Sequence, residues 1–146
     1  MVEDDEGFVF ESAGICLHLA DLHPEAGLIP KVGTHDRALV YQWTLYGMTE
    51  LEAPIVDWFR TRETNPEQAE AAAERVRAAA AVVEQALARA DSLVGGRFTV
   101  ADVVVGGVLA FARGLELLSG VPRIDAYLAR LEERPARQRA LAVTAA

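Results

Sequence analysis

Cysteine is nearly absent from this 146-residue chain: Cys16 stands alone. That excludes an internal disulfide and leaves the redox compartment open. Lysine is as scarce, Lys31 being the one lysine among 14 basic residues. With so much alanine, we read that skew as a coding bias without functional content. Positive charge is also in deficit, 14 bases against 22 acids, for a formal net charge of −8. Such a balance argues against a general nucleic-acid or anionic-membrane surface. The most apolar run, Val103 to Ala112, falls far short of the ~20 residues a membrane span needs. The three histidines, His18, His23 and His35, form no zinc spacing with Cys16, so no metal site is expected. No phosphate loop and no Ser/His/Asp order is present. No basic-then-apolar stretch opens the chain, and a cytoplasmic location is expected.

What is present is helical signal and a hydrophobic fraction of 51%, the composition of one globular domain with a real core. "FVF" at 8–10 reads as a short strand, able to form at most one hairpin with the residues before it. A first helix is expected from Ser12 to Asp21, with Ile15, Leu19 and Leu22 on one stripe. The prolines and glycines of "DLHPEAGLIPKVG" mark a linker. Thr34 can cap a long second helix running to Phe59, which Pro54 should kink or interrupt. Asn65-Pro66 is a start signal for a third helix rich in alanine and glutamate. In "LVGGRFTVADVVVGGVLAFARGLELLSG", Thr99 and Asp102 have capping-box spacing, with Phe98 and Val103 placed as a hydrophobic staple. The helix beyond this box, through about residue 118, is apolar nearly all round and reads as buried on every side. Gly106-Gly107 would weaken it unless a neighbouring helix must come close. Pro122 and Pro135 open two closing helices. The expected fold class is an all-α helical bundle, preceded by a short β-hairpin or strand and one helix.

Several residues invite a chemical reading. Trp43, Tyr46 and their aromatic neighbours on the second helix could line a pocket for an apolar molecule, although an aromatic stripe at helical spacing is also what a core or subunit interface looks like. Cys16 sits in "GICLHL" and reads as a structural thiol. The arginines at 123, 130, 134, 137 and 139 alternate with acids and read as a solvated face.

Taken in order, these segments resemble the glutathione transferase family. "FVFESAGICLHLAD" resembles the last strand and third helix of the family's thioredoxin-like domain, "LIPKVGTHDRALVYQW" its interdomain linker and the first helix of its helical domain, "LVGGRFTVADV" its capping-box folding motif, and "IDAYLARLEERPARQRAL" its closing helices. The resemblance implies a thioredoxin-like remnant at 1–22, a linker at 23–33 and a helical domain at 34–146. It also implies glutathione as co-substrate, no other cofactor, an apolar electrophile as second substrate, and a homodimer as one possible assembly, with no nucleic-acid or membrane partner. In the family, the pair matching Glu11 and Ser12 binds the γ-glutamyl end of glutathione, and the second-substrate pocket lies partly on the helix carrying Trp43 and Tyr46. From the residues alone, Glu-Ser does no more than start a helix.

The family's β-α-β-α-β segment, with its thiol-activating Tyr, Ser or Cys and its Val-Pro pair with a cis proline, has no counterpart here. The resemblance therefore leads us to expect no catalytic residue in this chain, an incompletely flanked hairpin, and a reading frame that continues upstream of Met1. Two functions are then in view: a transferase-family protein inactive alone, or a non-catalytic helical interaction module of the same fold, a use known in translation factors and synthetase complexes.

Overall fold

The computed structural model describes residues 1–144. Strands β1 (Val2–Asp4) and β2 (Gly7–Val9) pair antiparallel, Val2 opposite Val9 and Glu3 opposite Phe8. This is the single hairpin that the sequence allows. Phe8 and Phe10 are exposed. A two-stranded ribbon buries too little to be stable alone in water, so its order depends on its attachment to the helical body.

Helix α1 (Ser12–Leu22) forms where the sequence placed it but turns the other way. Its contact with the bundle runs through Ala20, Cys16 and Leu17, while Leu19 and Leu22 are exposed. The expected Ile15–Leu19–Leu22 stripe thus exists and is not the face the bundle takes. Two apolar faces compete on this short helix, and the helical neighbour selects the side with the smaller residues, which lets the axes come close.

The linker is anchored at two points. After a 3₁₀ turn at Pro24–Ala26, the Leu28 carbonyl accepts from Val100 N at 2.9 Å, and the Pro30 carbonyl accepts from the Arg37 guanidinium at 3.0 Å. Helix α2 (His35–Tyr46) begins at Thr34, whose hydroxyl takes the Arg37 N–H at 3.3 Å. The expected long helix is then broken by a π-helical turn at Gly47–Glu52 before α3 (Ala53–Thr61). Pro54 offers no N–H, and its ring would collide with the carbonyl four residues back. The chain answers by widening one turn upstream, where Ala53 N reaches the Met48 carbonyl in an i→i−5 bond. Gly47 sits in this turn because a Cβ there would stand 3.2 Å from Val105 Cγ2.

Helix α4 (Pro66–Ala86) is capped by Asn65, whose side chain accepts from Gln68 N at 3.2 Å. Its inner face is Ala69, Ala72, Ala73, Val76, Ala79, Ala80 and Val83, a run of small residues against which α3 packs. Near its end, Glu84 reaches across to α6 (Pro122–Glu132) and accepts from the backbone N–H groups of Arg123 (3.1 Å) and Ile124 (2.9 Å). A carboxylate from one helix thereby caps the free donors and positive end of another.

Helix α5 (Val100–Gly114) is central, touching α1, α2, the π turn and α6. It stops at Gly114, short of residue 118, and the chain turns there through Glu116 at φ 60°. It is not buried on every side. Val104, Val105, Val108, Leu109 and Ala112 are in the core, whereas Val103, Gly107 and Phe111 face outward. Those three lie four residues apart, one stripe of the helix, which the bundle leaves uncovered. The two glycines divide accordingly. A Cβ on Gly106 would run into the Leu131 side chain of α6, which would have to move to admit it, whereas a Cβ on Gly107 would meet nothing within 4 Å. The last helix, α7 (Pro135–Thr144), packs on α6.

Candidate functional site

The corner between β2 and α1 is the first candidate. Glu11 occupies the cap position of α1 with φ 70° and ψ 118°. A side chain with a Cβ pays for positive φ, at about 1–3 kcal/mol for a residue held in a sparsely populated region. The conformation serves no capping bond: the Glu11 side chain accepts nothing from the first turn, and only its carbonyl is used, by Ile15 N at 2.9 Å. Both Glu11 and Ser12 are exposed. The sequence placed this pair at a strand-to-helix corner, and the corner is where it stands. What results is a carboxylate and a hydroxyl in solvent beside an uncapped helix N-terminus, donors and acceptor together on one small surface.

The far end of α1 is held to the helical body by a group that the sequence reading did not single out. Arg37, almost fully buried, donates to both oxygens of Asp21 (2.9 and 2.7 Å), to the Tyr41 hydroxyl (2.8 Å) and to the Pro30 carbonyl. The bidentate fork joins the end of α1 to the start of α2. Its bonds to Asp21 hold the guanidinium protonated, with burial opposing them. Neither a motif nor a periodicity marks Arg37 in the sequence. The one signal is an arginine in the first turn of a helix, where the macrodipole disfavours it unless an acid is near.

Trp43 and Tyr46 are not brought to a common cavity. Trp43 is core. Tyr46 meets it edge to face, ring centroids 5.6 Å apart, and donates its hydroxyl to the Ala79 carbonyl at 3.1 Å. One edge of Tyr46 lines a shallow groove with Glu50, Arg75 and Val82. Burial pushes its phenol up, with the Glu50 charge adding to it. Cys16 is half-buried against the core, and burial likewise raises its thiol. Neither group is set up to be, or to make, a thiolate at neutral pH.

The capping box closes, and it is larger than its motif. Asp102 and Thr99 are both 0% exposed. One carboxylate oxygen accepts from Thr99 N (2.8 Å) and the Thr99 hydroxyl (3.1 Å). The other accepts from Leu93 N (3.0 Å) and the Tyr127 hydroxyl (3.1 Å). Burial, then the Asp102 charge and bond, push the Tyr127 phenol far above its ordinary range. Four donors and no cation hold this carboxylate, tying α5, α6 and the loop before α5 into one dry node. Tyr127 and Leu93 lie outside the motif's spacing and were not legible in it. Phe98 and Val103, the expected staple, both border a cleft on the outer face of α5. Two of the arginines read as a solvated face, Arg134 and Arg137, border the same cleft, while Arg123 and Arg130 pair with Glu84 and Asp91.

Among the described residues there is no cluster of His, Cys, Asp and Glu able to hold a metal ion, and no helix long and apolar enough to cross a membrane. The family model "Glutathione S-transferase, C-terminal domain" matches residues 66–130. Over 139 residues the chain is 32% identical to glutathione S-transferase GstA of Escherichia coli O157:H7, covering 94% of this chain and 69% of that protein. It is 30% identical over 143 residues to elongation factor 1-gamma of Prunus avium, covering 92% of this chain and 34% of that protein. A sphingomonad glutathione S-transferase solved with glutathione superposes with a TM-score of 0.88 at 28% identity, over 97% of this chain and 71% of that one.

Proposed function

The chain belongs to the glutathione S-transferase family, and from that premise we propose that its Glu11–Ser12 corner anchors the γ-glutamyl end of glutathione. The observation that carries the proposal is Glu11 itself, a non-glycine residue held at φ 70° whose side chain makes no capping bond to α1. Strain that does not serve the fold is the signature of a position kept for a ligand. The γ-glutamyl terminus carries a carboxylate and an ammonium on one carbon. Its carboxylate suits the free N–H groups of α1 and the Ser12 hydroxyl, and its ammonium suits the Glu11 carboxylate.

The family's reaction, which we propose as the one this corner serves, is attack of the glutathione thiolate on an electrophilic carbon. The new S–C bond forms as the leaving group departs with its electron pair. The chain's own residues contribute the anchor and, on the α2 side near Trp43 and Tyr46, a weaker candidate wall for the apolar electrophile. We assign thiol activation to none of them. Tyr46 and Tyr127 are pushed toward the protonated form and bonded elsewhere. We place the protein in the cytoplasm and expect a homodimer.

The test is titration with glutathione followed by amide shifts. Binding should be weak, centred on residues 11–15, and lost in Glu11→Gln and in Ser12→Ala. The 146-residue chain alone should show no turnover of an aryl halide with glutathione. Turnover equal to that of a catalytically complete relative would overturn the expectation that these residues supply no thiol activator, and glutathione shifts that ignore both substitutions would overturn the anchor. A second reading, a non-catalytic interaction module, is favoured by the exposed apolar surface of α2 and α3, notably Leu45 and Phe59, and by the likeness to an elongation factor. Capture of a protein partner that Leu45→Ser abolishes, with no glutathione binding, would decide for it.

A further inference from the structure

The negative charge of this chain sits almost wholly at one end of it. Residues 1–30 hold seven of the 22 acids and none of the 14 bases, while the remainder is nearly neutral, with 15 acids against 14 bases. In the helical body many acids are spent on arginines: Asp36, Asp57, Glu70, Glu84, Asp91 and Glu132 each pair with one. At the hairpin no such base is at hand. Among the described residues neither Glu3 nor Asp5 forms an ion pair. So lopsided a charge within one domain points to an interaction surface of one sign.

The same hairpin presents an aromatic face. Side chains alternate along a strand, and here they divide. Val2, Gly7 and Val9 are half-buried, whereas Glu3, Phe8 and Phe10 are exposed. Glu3 stands opposite Phe8 in the ladder, so the acid and the ring share the outer face. Asp5 is exposed in the turn that joins the strands. Two phenylalanines, 58% and 71% exposed, bordered by unpaired carboxylates, have the make-up of a protein interface: an aromatic centre and a charged rim.

We propose that the outer face of the hairpin docks a basic, apolar-rich segment of a partner protein, its apolar side chains on Phe8 and Phe10 and its lysines or arginines against Glu3 and Asp5. A second copy of the chain is the poorer occupant, because two faces of the same negative sign repel. Nucleic acid and anionic membrane are disfavoured for the same reason. A two-stranded ribbon offers no enclosure for a small molecule. Docking also gives the ribbon what it lacks by itself, a buried apolar outer face. The surface uses neither Glu11 nor Ser12, and it stands or falls independently of glutathione binding.

Calorimetry with a twelve-residue peptide alternating lysine and leucine tests it on the full chain, with a lysine–serine peptide of the same charge as counterpart. The lysine–leucine peptide should bind saturably at one site per chain, and the lysine–serine peptide about tenfold more weakly or worse. Binding should slow amide exchange across residues 2–9. Phe8→Thr/Phe10→Thr, which keeps strand propensity, should lose about tenfold or more for the lysine–leucine peptide. Glu3→Gln/Asp5→Asn should weaken binding several-fold and flatten its salt dependence. The matched pair Glu74→Gln/Glu133→Gln, both exposed on the helical body, should change neither. Equal affinity for the two peptides overturns the proposal, as does an affinity that Phe8→Thr/Phe10→Thr leaves unchanged or that the Glu74/Glu133 pair lowers as much as the Glu3/Asp5 pair. A concentration-dependent dimer that excludes the peptide and is broken by Phe8→Thr/Phe10→Thr would overturn it too, and would give this face to a second copy of the chain.

Discussion

At the start of α5, a threonine hydroxyl and an aspartate carboxylate are sealed from water, and every carboxylate lone pair in reach has a donor from the chain itself. At the start of α1, a serine hydroxyl and a glutamate carboxylate stand in solvent, the cap is unused, and the backbone is strained. The residue chemistry is nearly the same. What differs is whether other parts of the fold arrive to use it. Where α6 and the loop at residue 93 arrive, the acid becomes a structural node. Where no other element arrives, the same groups remain in solvent. A helix N-terminus is therefore neither a binding site nor a folding motif by its sequence alone.

The largest test of this contrast is Asp102→Ala. It strands the N–H groups of Leu93 and Thr99 and the Tyr127 hydroxyl in a dry interior. We expect a loss of about 3–5 kcal/mol, well beyond the ~0.5–2 kcal/mol of an ordinary cap. Urea midpoints measure it. A loss inside the ordinary range would mean that water or relaxation rescues the node, and the contrast with α1 would shrink to one of degree.

Next in size is Arg37→Leu, which cuts the fork to Asp21. Because Asp21 is about half exposed, solvent screens part of the pair, and we expect roughly 1–2 kcal/mol. The informative readout is local. Amide exchange should quicken across α1 and the hairpin while α5 stays slow. Uniform quickening would show that the two helix starts are not separable units.

Alkaline titration probes the node without mutation. Tyr127 has its folded pKa raised, so the stability it lends is fully present below the unfolded value and is lost as pH rises past it. Above about pH 10 the chain should lose roughly 1.4 kcal/mol per pH unit from this group. Tyr127→Phe should start lower and flatten that limb. A variant with the same alkaline slope would place the titrating group elsewhere.

The smallest effect has the opposite sign. Glu11→Gly should relieve the positive φ and raise stability by about 1 kcal/mol while removing the proposed glutathione anchor. A destabilised Gly variant would mean that the Glu11 side chain holds the fold after all, and α1 would then resemble α5.

Much of this was legible beforehand, for identifiable reasons. Thr34, Asn65-Pro66 and Thr99/Asp102 announced three helix starts because capping is local: donor and acceptor lie within three residues. Pro54 announced a break because its missing N–H acts within one turn, and the break surfaced just upstream as the π turn. The errors fell on facing. Both the Ile15–Leu19–Leu22 stripe and the all-round apolar α5 predicted burial that the bundle does not provide. Hydropathy reports which faces could be buried, and only the neighbours decide which are. Of the arginines read as a solvated face, Arg137 is exposed as expected, whereas Arg134 is half-buried against the Phe98 ring.

The sequence by itself determined where most helices begin, the one hairpin, the capping-box spacing and the family, because these depend on interactions a few residues apart or on their order along the chain. The tertiary structure alone decided what each group is for. Tyr127 and Leu93 reach Asp102 from 25 and 9 residues away, Arg37 reaches Asp21 across 16, and Glu84 caps a helix 39 residues on. No spacing rule connects residues so far apart. Their meeting is fixed by how the helices pack, and that packing leaves Glu11 and Ser12 in the open while it closes over Thr99 and Asp102.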